Sequence, residues 1–449
     1  MNRITIPTFF AVLLFCCSTL DAGAQGKPFT IPEIREWVAA KGMLKVGANP
    51  QIKYIEDSAL AAEEYCIKIS RSGIKAYVSS LRGRKWAEST IRQMAAKGDG
   101  MIPCGTIHDW PEYPIRGFVL DVGRKYFPIE CLYAYIDELA YYKMNTFHIH
   151  INDEGMPVGR KPKDEVPGYW RLQSDFFPGL AVEGESYSKQ EYIDLQKYAE
   201  SKGVEIITEF DTPAHSKAIT QYRPDLGSKT NGTNHLDLFL EETYNFVDSL
   251  FLEYLGGDDP VIRGHRFHIG TDEYHTDDQR IREQFRVYTN HYLELAELYG
   301  KQACCWGSLS DAEGETHVDG HGRMLWAWYN LYADPEKMID LGFDLVSIPD
   351  GLVYIVPQAR YYNDYLDRKK IYDTWTPAVI GSLTFEENHP NIKGGMFAVW
   401  NDLAAFRRYT TDDVHDRAYP AIQVISAKTW SGIHTSFNFE EFDRASADL

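Results

Sequence analysis

Short apolar runs alternate with amphipathic segments along most of the chain, from residue 114 to near its end. Apolar runs predict strands, and apolar positions that recur every three or four residues predict helices. The predicted strands cover residues 115–122, 146–151, 204–209, 266–270, 302–306, 323–328, 343–348 and 393–400. The predicted helices cover residues 130–142, 189–202, 238–255, 278–298, 334–341 and 413–431. Eight strands alternating with helices favour parallel pairing and an α/β fold closed as a (β/α)8 TIM-type barrel.

An open, doubly wound parallel sheet is the alternative arrangement of the same elements. Such sheets commonly carry a glycine-rich, phosphate-binding turn after the first strand. No turn of this kind follows residues 115–122, so the closed barrel is the preferred prediction. In a barrel, functional residues lie just past the carboxyl ends of the strands.

Residues 25–110 have a different pattern and predict a small α+β domain ahead of a barrel at 111–449. Strands are predicted at 64–70 and 74–78, and a helix at 85–97, in which Trp86, Ile91 and Met94 recur near helical spacing. Gly98, Gly100 and Pro103 follow the helix and predict a break in regular structure.

The first 24 residues have the pattern of a secretory signal peptide. Arg3 precedes a short apolar stretch, and residues 22–24 (AGA) fit a signal-peptidase cleavage site. The apolar stretch is too short to span a bilayer. A lipoprotein cleaved before Cys16 or Cys17 is the alternative. Either interpretation predicts an exported protein, periplasmic or attached to the cell surface.

Composition and charge exclude other classes of protein. Hydrophobic residues make up 44% of the chain and charged residues 25%, which is typical of a globular protein. The formal net charge of −19, without a basic cluster, argues against a nucleic-acid partner. No later segment is apolar enough for a transmembrane span. The five cysteines after residue 24 fit neither a disulfide framework nor a zinc site and are expected to be small buried residues.

Two adjacent carboxylates, Asp272 and Glu273, directly follow the strand predicted at 266–270. In a continuing strand they would point to opposite faces, whereas a turn at the strand end can aim both into the barrel mouth. Two like charges held this close raise one pKa, which provides a general acid beside an anion. The alternative interpretation is an acidic amino end of the helix that follows.

Histidines lie on or shortly after three neighbouring predicted strands. His148 and His150 share one strand face, and His215 and His268 belong to the next two strands. Histidines on one face can bind a metal ion, so a metal-dependent barrel hydrolase is a competing interpretation. The preferred interpretation is a core histidine beside one bonded to a carboxylate, because no known ligand spacing is completed.

Aromatic residues make up 14% of the chain, and several lie near predicted strand ends. They can form the walls of a sugar pocket or pack beneath loops, since aromatic side chains bury large areas anywhere. The set comprises Trp306, Trp326, Trp328, Tyr354, Trp375 and Trp400.

Four motifs, in order along the barrel, resemble family 20 of the glycoside hydrolases, the β-N-acetylhexosaminidases. They are Arg116-Gly117 through Leu120-Asp121 and Arg124; Lys143-Met144-Asn145 through His150 and Asp153; Glu209 through Asp211-Thr212-Pro213 and His215; and Ile269-Gly270 through Asp272-Glu273. The segment at 64–110 is similar to the small domain that precedes this family's barrel. The resemblance covers nearly the whole chain after residue 24.

This resemblance implies an exo-acting, retaining enzyme that removes terminal β-linked GlcNAc or GalNAc and needs no metal or organic cofactor. Its nucleophile is the 2-acetamido oxygen of the substrate, an exception to the two-carboxylate rule for glycosidases. Glu273 is the implied general acid and later the base for water, and Asp272 orients the acetamido group and stabilises the oxazolinium. Tyr354 is expected to hydrogen-bond the acetamido carbonyl. The implied walls of the acetamido pocket are Trp306, Trp326 and Trp375.

The resemblance also assigns residues to the rest of the sugar. Trp400 is expected to lie against the pyranose ring. Arg116 and Asp402 are expected to bind sugar hydroxyls, those at Asp402 being far from the scissile bond. Asp153 and His215 are expected to support Arg116 and Glu273.

Four positions depart from the family's usual pattern. Thr271 and Ala214 stand where glycine is usual, and Asp402 where glutamate is usual. Val356 replaces an aspartate that helps to hold the outer hydroxyls. These changes leave the carboxylate pair intact and predict altered recognition of the sugar's 4- and 6-positions, including a modified or extended glycan. A non-catalytic glycan-binding relative and a disaccharide-releasing enzyme of the same family remain as alternatives.

Overall fold

A five-stranded sheet forms the N-terminal part of the computed structural model, which describes residues 26–47, 49–156 and 166–447. Its strands are β1 (Glu36–Lys45), β2 (Ile52–Glu56), β3 (Tyr65–Ser70), β4 (Gly73–Val78) and β5 (Met101–Asp109), in the order β1-β5-β3-β4-β2. Helix α1 (Leu81–Lys97) packs on one face and buries Trp86, Ile91 and Met94 in the core of this sheet. The predicted signal peptide lies outside the described residues.

The apolar pattern predicts β3, β4 and α1 but not β1, β2 or β5. Strand β1 is mostly exposed, so its apolar positions show no inward alternation. Strand β5 contains Pro103, which predicts a break yet pairs with Met43 of β1. It also contains Gly105, where a Cβ would lie 2.2 Å from the Trp37 indole. The glycine thus lets the indole pack directly on the sheet.

Eight parallel strands close into a barrel after this sheet. They are β6 (Ile115–Asp121), β7 (Thr146–His150), β10 (Glu205–Thr212), β13 (Arg266–Gly270), β14 (Gln302–Cys305), β15 (Met324–Ala327), β16 (Asp344–Ser347) and β20 (Ile392–Val399). Each strand pairs with the next, and β20 closes the ring by pairing with both β16 and β6. The predicted (β/α)8 barrel preceded by a small α+β unit is confirmed, and the open doubly wound sheet is wrong.

Helices surround the barrel and follow its strands. They are α2 (Ile129–Tyr141), α3 (Lys189–Lys202), α4 (Lys217–Tyr222), α5 (Glu241–Leu255), α6 (Gln279–Leu298), α7 (Pro335–Asp340), α8 (Asp350–Val353), α9 (Arg368–Thr374), α10 (Thr411–Ser431) and α11 (Phe439–Ser446). Capping boxes at Ser188 and Thr410 fix the starts of α3 and α10. Between β14 and β15, residues 306–323 form an irregular segment in place of a helix.

Short strands add to the loops that connect the barrel. The pairs are β8 (Asn152–Glu154) with β9 (Gly168–Trp170), β11 (Gly227–Ser228) with β12 (Gly232–Leu236), and β18 (Val379–Ile380) with β19 (Leu383–Thr384). Strand β17 (Tyr354–Ile355) pairs with the carboxyl end of β20. Across the described part of the chain, every helix is too short or too polar to cross a membrane.

A buried ion pair joins the small sheet to the amino end of the barrel. The Arg116 guanidinium donates to the Glu63 carboxylate, which also accepts from Trp86 Nε1 at 2.9 Å and from Asn145 Nδ2 at 2.8 Å. Burial opposes ionisation of Glu63, but the charge of Arg116 lowers its pKa. Three donors from the two units therefore meet on one carboxylate.

Arg116 is consequently not a sugar-binding residue, which corrects the expectation for it. It is the second residue of β6, so it lies at the end of the barrel opposite the carboxyl ends of the strands. Its side chain is completely buried. Its remaining N–H groups donate to the backbone carbonyls of Tyr113 at 2.8 Å and Lys143 at 3.0 Å.

Replacing Glu63 with glutamine is expected to destabilise the protein, because it leaves the Arg116 charge buried without a counter-charge. Breaking a buried pair from one side costs about 3–5 kcal/mol of unfolding free energy. Urea denaturation measures this loss. Glu88→Gln is the matched control, since Glu88 forms a half-exposed pair with Arg92 at 3.8 Å on α1 and such pairs contribute less than about 1 kcal/mol. Equal losses in the two variants would contradict the assignment.

Candidate active site

A cleft opens at the carboxyl ends of the barrel strands. Its volume is about 490 Å³ counted to its open mouth. Its lining is charged or aromatic except for Val356, and it comes from the carboxyl ends of seven barrel strands or the loops after them: Arg124, His150, Asp153, Asp211, His215, Asp272, Glu273, Trp328, Tyr354, Val356, Tyr362, Trp400 and Asp402. Seven of the predicted site residues are among them.

A left-handed turn at the end of β13 brings Asp272 and Glu273 into the cleft together. The φ angles of Gly270, Thr271 and Glu273 are 71°, 68° and 50°. A Cβ on Gly270 would lie 2.0 Å from Asp211 Oδ1, so only glycine fits there. Thr271 adopts a left-handed conformation that disfavours a β-branched residue. The turn bends the backbone so that neighbouring residues do not alternate between faces.

A chain of alternating charges runs from the barrel interior to the cleft. The ring nitrogens of His150 lie 2.6 Å from Glu209 Oε2 and 2.8 Å from Asp153 Oδ2. The ring nitrogens of His215 lie 2.9 Å from Asp153 Oδ1 and 3.2 Å from Glu273 Oε2. The order is therefore Glu209, His150, Asp153, His215, Glu273.

Burial and these partners determine which of the five side chains carry a proton. Burial disfavours charge on both His150 and His215, but the neighbouring carboxylates raise the pKa of each well above its usual value. Burial likewise opposes ionisation of Asp153, but Arg124 and His215 lower its pKa. His150 and His215 are therefore imidazolium ions between carboxylate anions.

Three of the four histidines that suggest a metal site, His148, His150 and His215, are occupied by hydrogen bonds or ion pairs, whereas Nε2 of His268 is buried without a partner among the described residues. Within the described ranges, four groups of His, Asp and Glu place potential ligand atoms within 4.8 Å of one another. Both nitrogens of His150 donate to carboxylates. Trp326 Nε1 donates to His148 Nδ1 at 3.1 Å, so His148 Nε2 carries the proton and donates to Glu209 at 3.0 Å. A metal ligand needs a free nitrogen lone pair, so this pattern favours an ion-pair network over metal ligation.

The two adjacent carboxyls, Asp272 and Glu273, differ in how readily they are protonated. Burial raises the pKa of Asp272 to about 7, with Glu273 adding to the shift and His215 opposing it. Burial also opposes ionisation of Glu273, but the hydrogen bond from His215 lowers its pKa. Asp272 Oδ1 is buried without a hydrogen-bond partner among the described residues. Below about pH 7, the proton that the two carboxyls share in the free site therefore resides on Asp272.

Arg124 takes the position that the resemblance assigns to Arg116. It follows β6 by three residues and lines the cleft. Its guanidinium lies 2.7 Å from Asp153 Oδ2, 3.2 Å from Asp121 Oδ2 and 3.5 Å from Asp402 Oδ1. Asp153 thus contacts a cleft arginine as expected, but that arginine is Arg124.

Four large aromatic side chains line the cleft: Trp328, Tyr354, Tyr362 and Trp400. Trp328 and Tyr354 stack with ring centroids 6.0 Å apart, and Trp400 lies 5.7 Å from Tyr354. Trp306 is buried directly behind Trp400, at 5.6 Å. Its indole N–H donates to Glu209, which attaches the aromatic wall to the charged chain.

Trp326 and Trp375 do not lie in the cleft, which corrects their assignment to the acetamido pocket. Both are completely buried. Trp326 belongs to β15 and packs inside the barrel, 5.1 Å from the ring of His268. Trp375 packs against Gly395 in the first half of β20, where a Cβ would lie 2.8 Å from the indole.

No role is predicted from the sequence for Arg124 or Tyr362, and Trp328 is included there only in the general set of aromatic residues near strand ends. Trp328 directly follows β15, whereas Trp326 lies within it, so distance from the strand end separates the two. The same signal separates Arg124 from Arg116. Tyr362 lies in the loop after β17 and carries no comparable signal.

The comparisons with known proteins agree in fold and sequence. Residues 113–433 match the sequence model described as Glycosyl hydrolase family 20, catalytic domain. A β-hexosaminidase of Akkermansia muciniphila is 28% identical over 99% of this chain and 93% of its own length. An N-acetyl-β-hexosaminidase of Streptomyces plicatus, solved with thio-NAglucal, has a TM-score of 0.74 at 20% identity, covering 93% of each chain. An exo-β-N-acetylglucosaminidase of Vibrio harveyi, solved with N-acetylglucosamine, has a TM-score of 0.75 at 18% identity, covering 96% of this chain and 78% of its own.

Asp153→Asn is expected to lower the pKa of His215, because it removes the anion that stabilises the imidazolium from the barrel side. Histidine NMR titration measures the shift. In the unsubstituted protein His215 keeps its proton well above pH 6.5, and in the variant it loses the proton at lower pH. His291, which pairs with Asp248 near the surface at 2.8 Å, serves as an internal control. An unchanged His215 titration would contradict the charge chain.

Proposed function

Because the chain belongs to glycosyl hydrolase family 20, we propose that it is an exo-acting β-N-acetylhexosaminidase that removes terminal β-linked GlcNAc or GalNAc from glycans. The observation that carries the proposal is the turn at β13, which places Asp272 and Glu273 side by side in one cleft. Two-carboxylate retaining glycosidases need a nucleophile across the scissile bond from the acid, about 5 Å away. Adjacent carboxyls on one turn suit a mechanism in which the substrate supplies the nucleophile.

In this mechanism, the acetamido carbonyl oxygen attacks C1 as the bond between C1 and the glycosidic oxygen breaks. Glu273 donates its proton to that oxygen, so the aglycone leaves as a neutral alcohol and an oxazolinium ion remains. Asp272 accepts a hydrogen bond from the acetamido N–H and stabilises the positive charge. Water then attacks C1 and gives a proton to Glu273. The oxazolinium ring opens as the bond between C1 and the acetamido oxygen breaks, which leaves the β-configured hemiacetal. Two displacements at C1 give overall retention.

Substrate binding has to move the shared proton from Asp272 to Glu273. An acetamido N–H donated to Asp272 Oδ1, which lacks a partner in the free site, favours the ionised form of Asp272. A glycosidic oxygen beside Glu273 accepts the proton that this carboxyl then carries. The acid therefore becomes competent only when the 2-acetamido group is in place.

The rest of the cleft matches the remaining parts of the sugar. Trp400 offers an indole face to the ring, and Trp328 and Tyr354 enclose the acetamido side, with the Tyr354 hydroxyl for its carbonyl. Arg124 and Asp402 bind hydroxyls remote from the scissile bond. Val356 is packed with Ala359 and Leu403 and gives an apolar wall, so the 4- and 6-positions are recognised less by hydrogen bonds than in relatives with aspartate there.

We also propose that residues 1–24 direct export. The support is the sequence pattern described above, an arginine, a short apolar stretch and an AGA cleavage site. Hydrolysis of glycans outside the cytoplasm fits this location.

Glu273→Gln is expected to lower kcat/KM for 4-nitrophenyl N-acetyl-β-glucosaminide by about 10²-fold or more, the usual effect of losing a general acid. Nitrophenol release measures it. The loss should be larger for substrates with an alcohol aglycone, because nitrophenolate leaves with less help from an acid. The β-glucoside, which lacks the acetamido nucleophile, should not be hydrolysed by the unsubstituted protein. Glu183→Gln, at an exposed position, is the control.

Two results would contradict this proposal. Hydrolysis of the β-glucoside at a rate similar to the acetamido sugar would exclude substrate assistance. Binding of N-acetylglucosamine with no turnover of any β-N-acetylhexosaminide by the folded, unsubstituted protein would identify a non-catalytic glycan-binding relative.

The pH profile of kcat/KM is expected to be bell-shaped, because catalysis needs one proton shared by Asp272 and Glu273. As pH rises through about 7, the free site loses the proton held on Asp272, and kcat/KM falls. As pH falls below the usual range of a glutamate, Glu273 also gains a proton, no anion remains, and kcat/KM falls again. Steady-state rates across the pH range, corrected for inactivation, measure this. A rate independent of pH between 6 and 9 would contradict the shared proton.

A further inference from the structure

A second chamber adjoins the catalytic cleft on the side of strands β8 and β12. The two cavities share Arg124, His215, Glu273, Tyr362 and Asp402 as a common border. The residues found only in the second chamber include Glu154, Met156, Lys217, Asn234 and Tyr361. None of these five has a role in the mechanism above.

The floor of this chamber is polar and held in place by backbone structure. Glu154 ends β8, which pairs with β9, and its backbone carbonyl accepts from Arg124 Nε at 2.9 Å. Its Oε1 accepts from Asn234 Nδ2 at 2.7 Å. Its Oε2 is buried and has no hydrogen-bond partner among the described residues. A buried carboxylate oxygen without a partner is costly unless a water molecule or a ligand donates to it.

The ammonium group of Lys217 completes the floor of the chamber. Lys217 begins α4, is 7% exposed, and its Nζ lies 3.0 Å from Thr233 Oγ1. A lysine ammonium has three donor hydrogens, so this bond leaves donor capacity for a ligand. Glu154, Asn234 and Lys217 together therefore offer acceptors and donors, which matches groups that both donate and accept, as sugar hydroxyls do.

The wall of the chamber is apolar and aromatic. The Tyr361 ring is 51% exposed, and its hydroxyl lies 2.8 Å from Asp402 Oδ2 and 3.2 Å from Met156 Sδ. Met156 is 44% exposed beside it. Exposed aromatic and thioether surface at the mouth of a cleft offers contact to the C–H face of a pyranose.

We propose that this chamber binds the first sugar of the leaving group, with Glu154 and Lys217 as its specificity-determining residues. The inference rests on the proposed function, because it uses the role of Glu273 as the acid. An acid must touch the glycosidic oxygen, so the aglycone begins at Glu273. Glu273 borders both cavities, and the second chamber extends from it toward groups that can bind hydroxyls. A nitrophenyl group has no hydroxyl for these residues, whereas a pyranose has.

The test compares a sugar leaving group with an aryl one. The substrates are 4-nitrophenyl N-acetyl-β-glucosaminide and the best hydrolysed of the β1,3-, β1,4- and β1,6-linked GlcNAc disaccharides. The variants are Glu154→Gln, Lys217→Met and the double variant, with Glu183→Gln as a control at an exposed position. Each single substitution is expected to raise KM for the disaccharide about tenfold, the scale of one hydrogen bond to a charged group. The ratio of disaccharide to aryl kcat/KM should fall accordingly, while kcat changes little.

Each other outcome overturns the proposal in a recognisable way. Equal losses on both substrates would mean that Glu154 only supports Asp153 and Arg124. No change on either substrate, or an unsubstituted protein that hydrolyses the aryl glycoside but none of the disaccharides, would mean that the chamber binds no leaving-group sugar. Absence of turnover of the aryl glycoside by the folded, unsubstituted protein is a failure of the proposed function itself. Circular dichroism melting of each variant separates these outcomes from misfolding.

Discussion

The electrostatic chain inside the barrel mouth constrains the rest of the site. Five side chains on β7, β10 and β13, or in the loops directly after them, alternate in charge, and each is neutralised by its neighbours. An isolated charge at such depth would be strongly unfavourable, so no member can be removed without leaving another uncompensated. This coupling holds three separate strand ends at fixed distances. It also holds Glu273, the last of the five side chains, where this series of ion pairs reaches solvent.

The remaining features of the cleft follow from that arrangement. Trp306 binds Glu209 and supports Trp400 from behind, so the aromatic floor is positioned by the same carboxylate that begins the chain. Arg124 binds Asp153, so the arginine that faces the cleft is positioned from the middle of the chain. The barrel therefore supplies one electrostatic framework, and both the aromatic side chains of the cleft and Glu273 are attached to it.

Much of this architecture could be predicted from the sequence, because the hydrophobic periodicity of a barrel is regular. The eight barrel strands and the adjacent carboxyls were visible in the pattern. The position of a residue along its strand could not be predicted in the same way, because residues two apart share a face but lie in different layers of the barrel. Trp326 and Trp328 differ in this way, and only the second reaches the cleft. Arg116 and Arg124 lie at opposite ends of one strand, and a motif that contains both does not distinguish their depths.

The Glu63–Arg116 pair has a consequence for how this protein can evolve. The residues proposed for catalysis all belong to the barrel, which suggests a module that could be recombined with other domains. Arg116 contradicts this view, because its charge is completed by a residue of the preceding unit. A gene fusion or truncation that kept only the barrel would leave the Arg116 guanidinium without a counter-charge at the amino end of the barrel. Separating the barrel from the small sheet would therefore require a compensating substitution at Arg116.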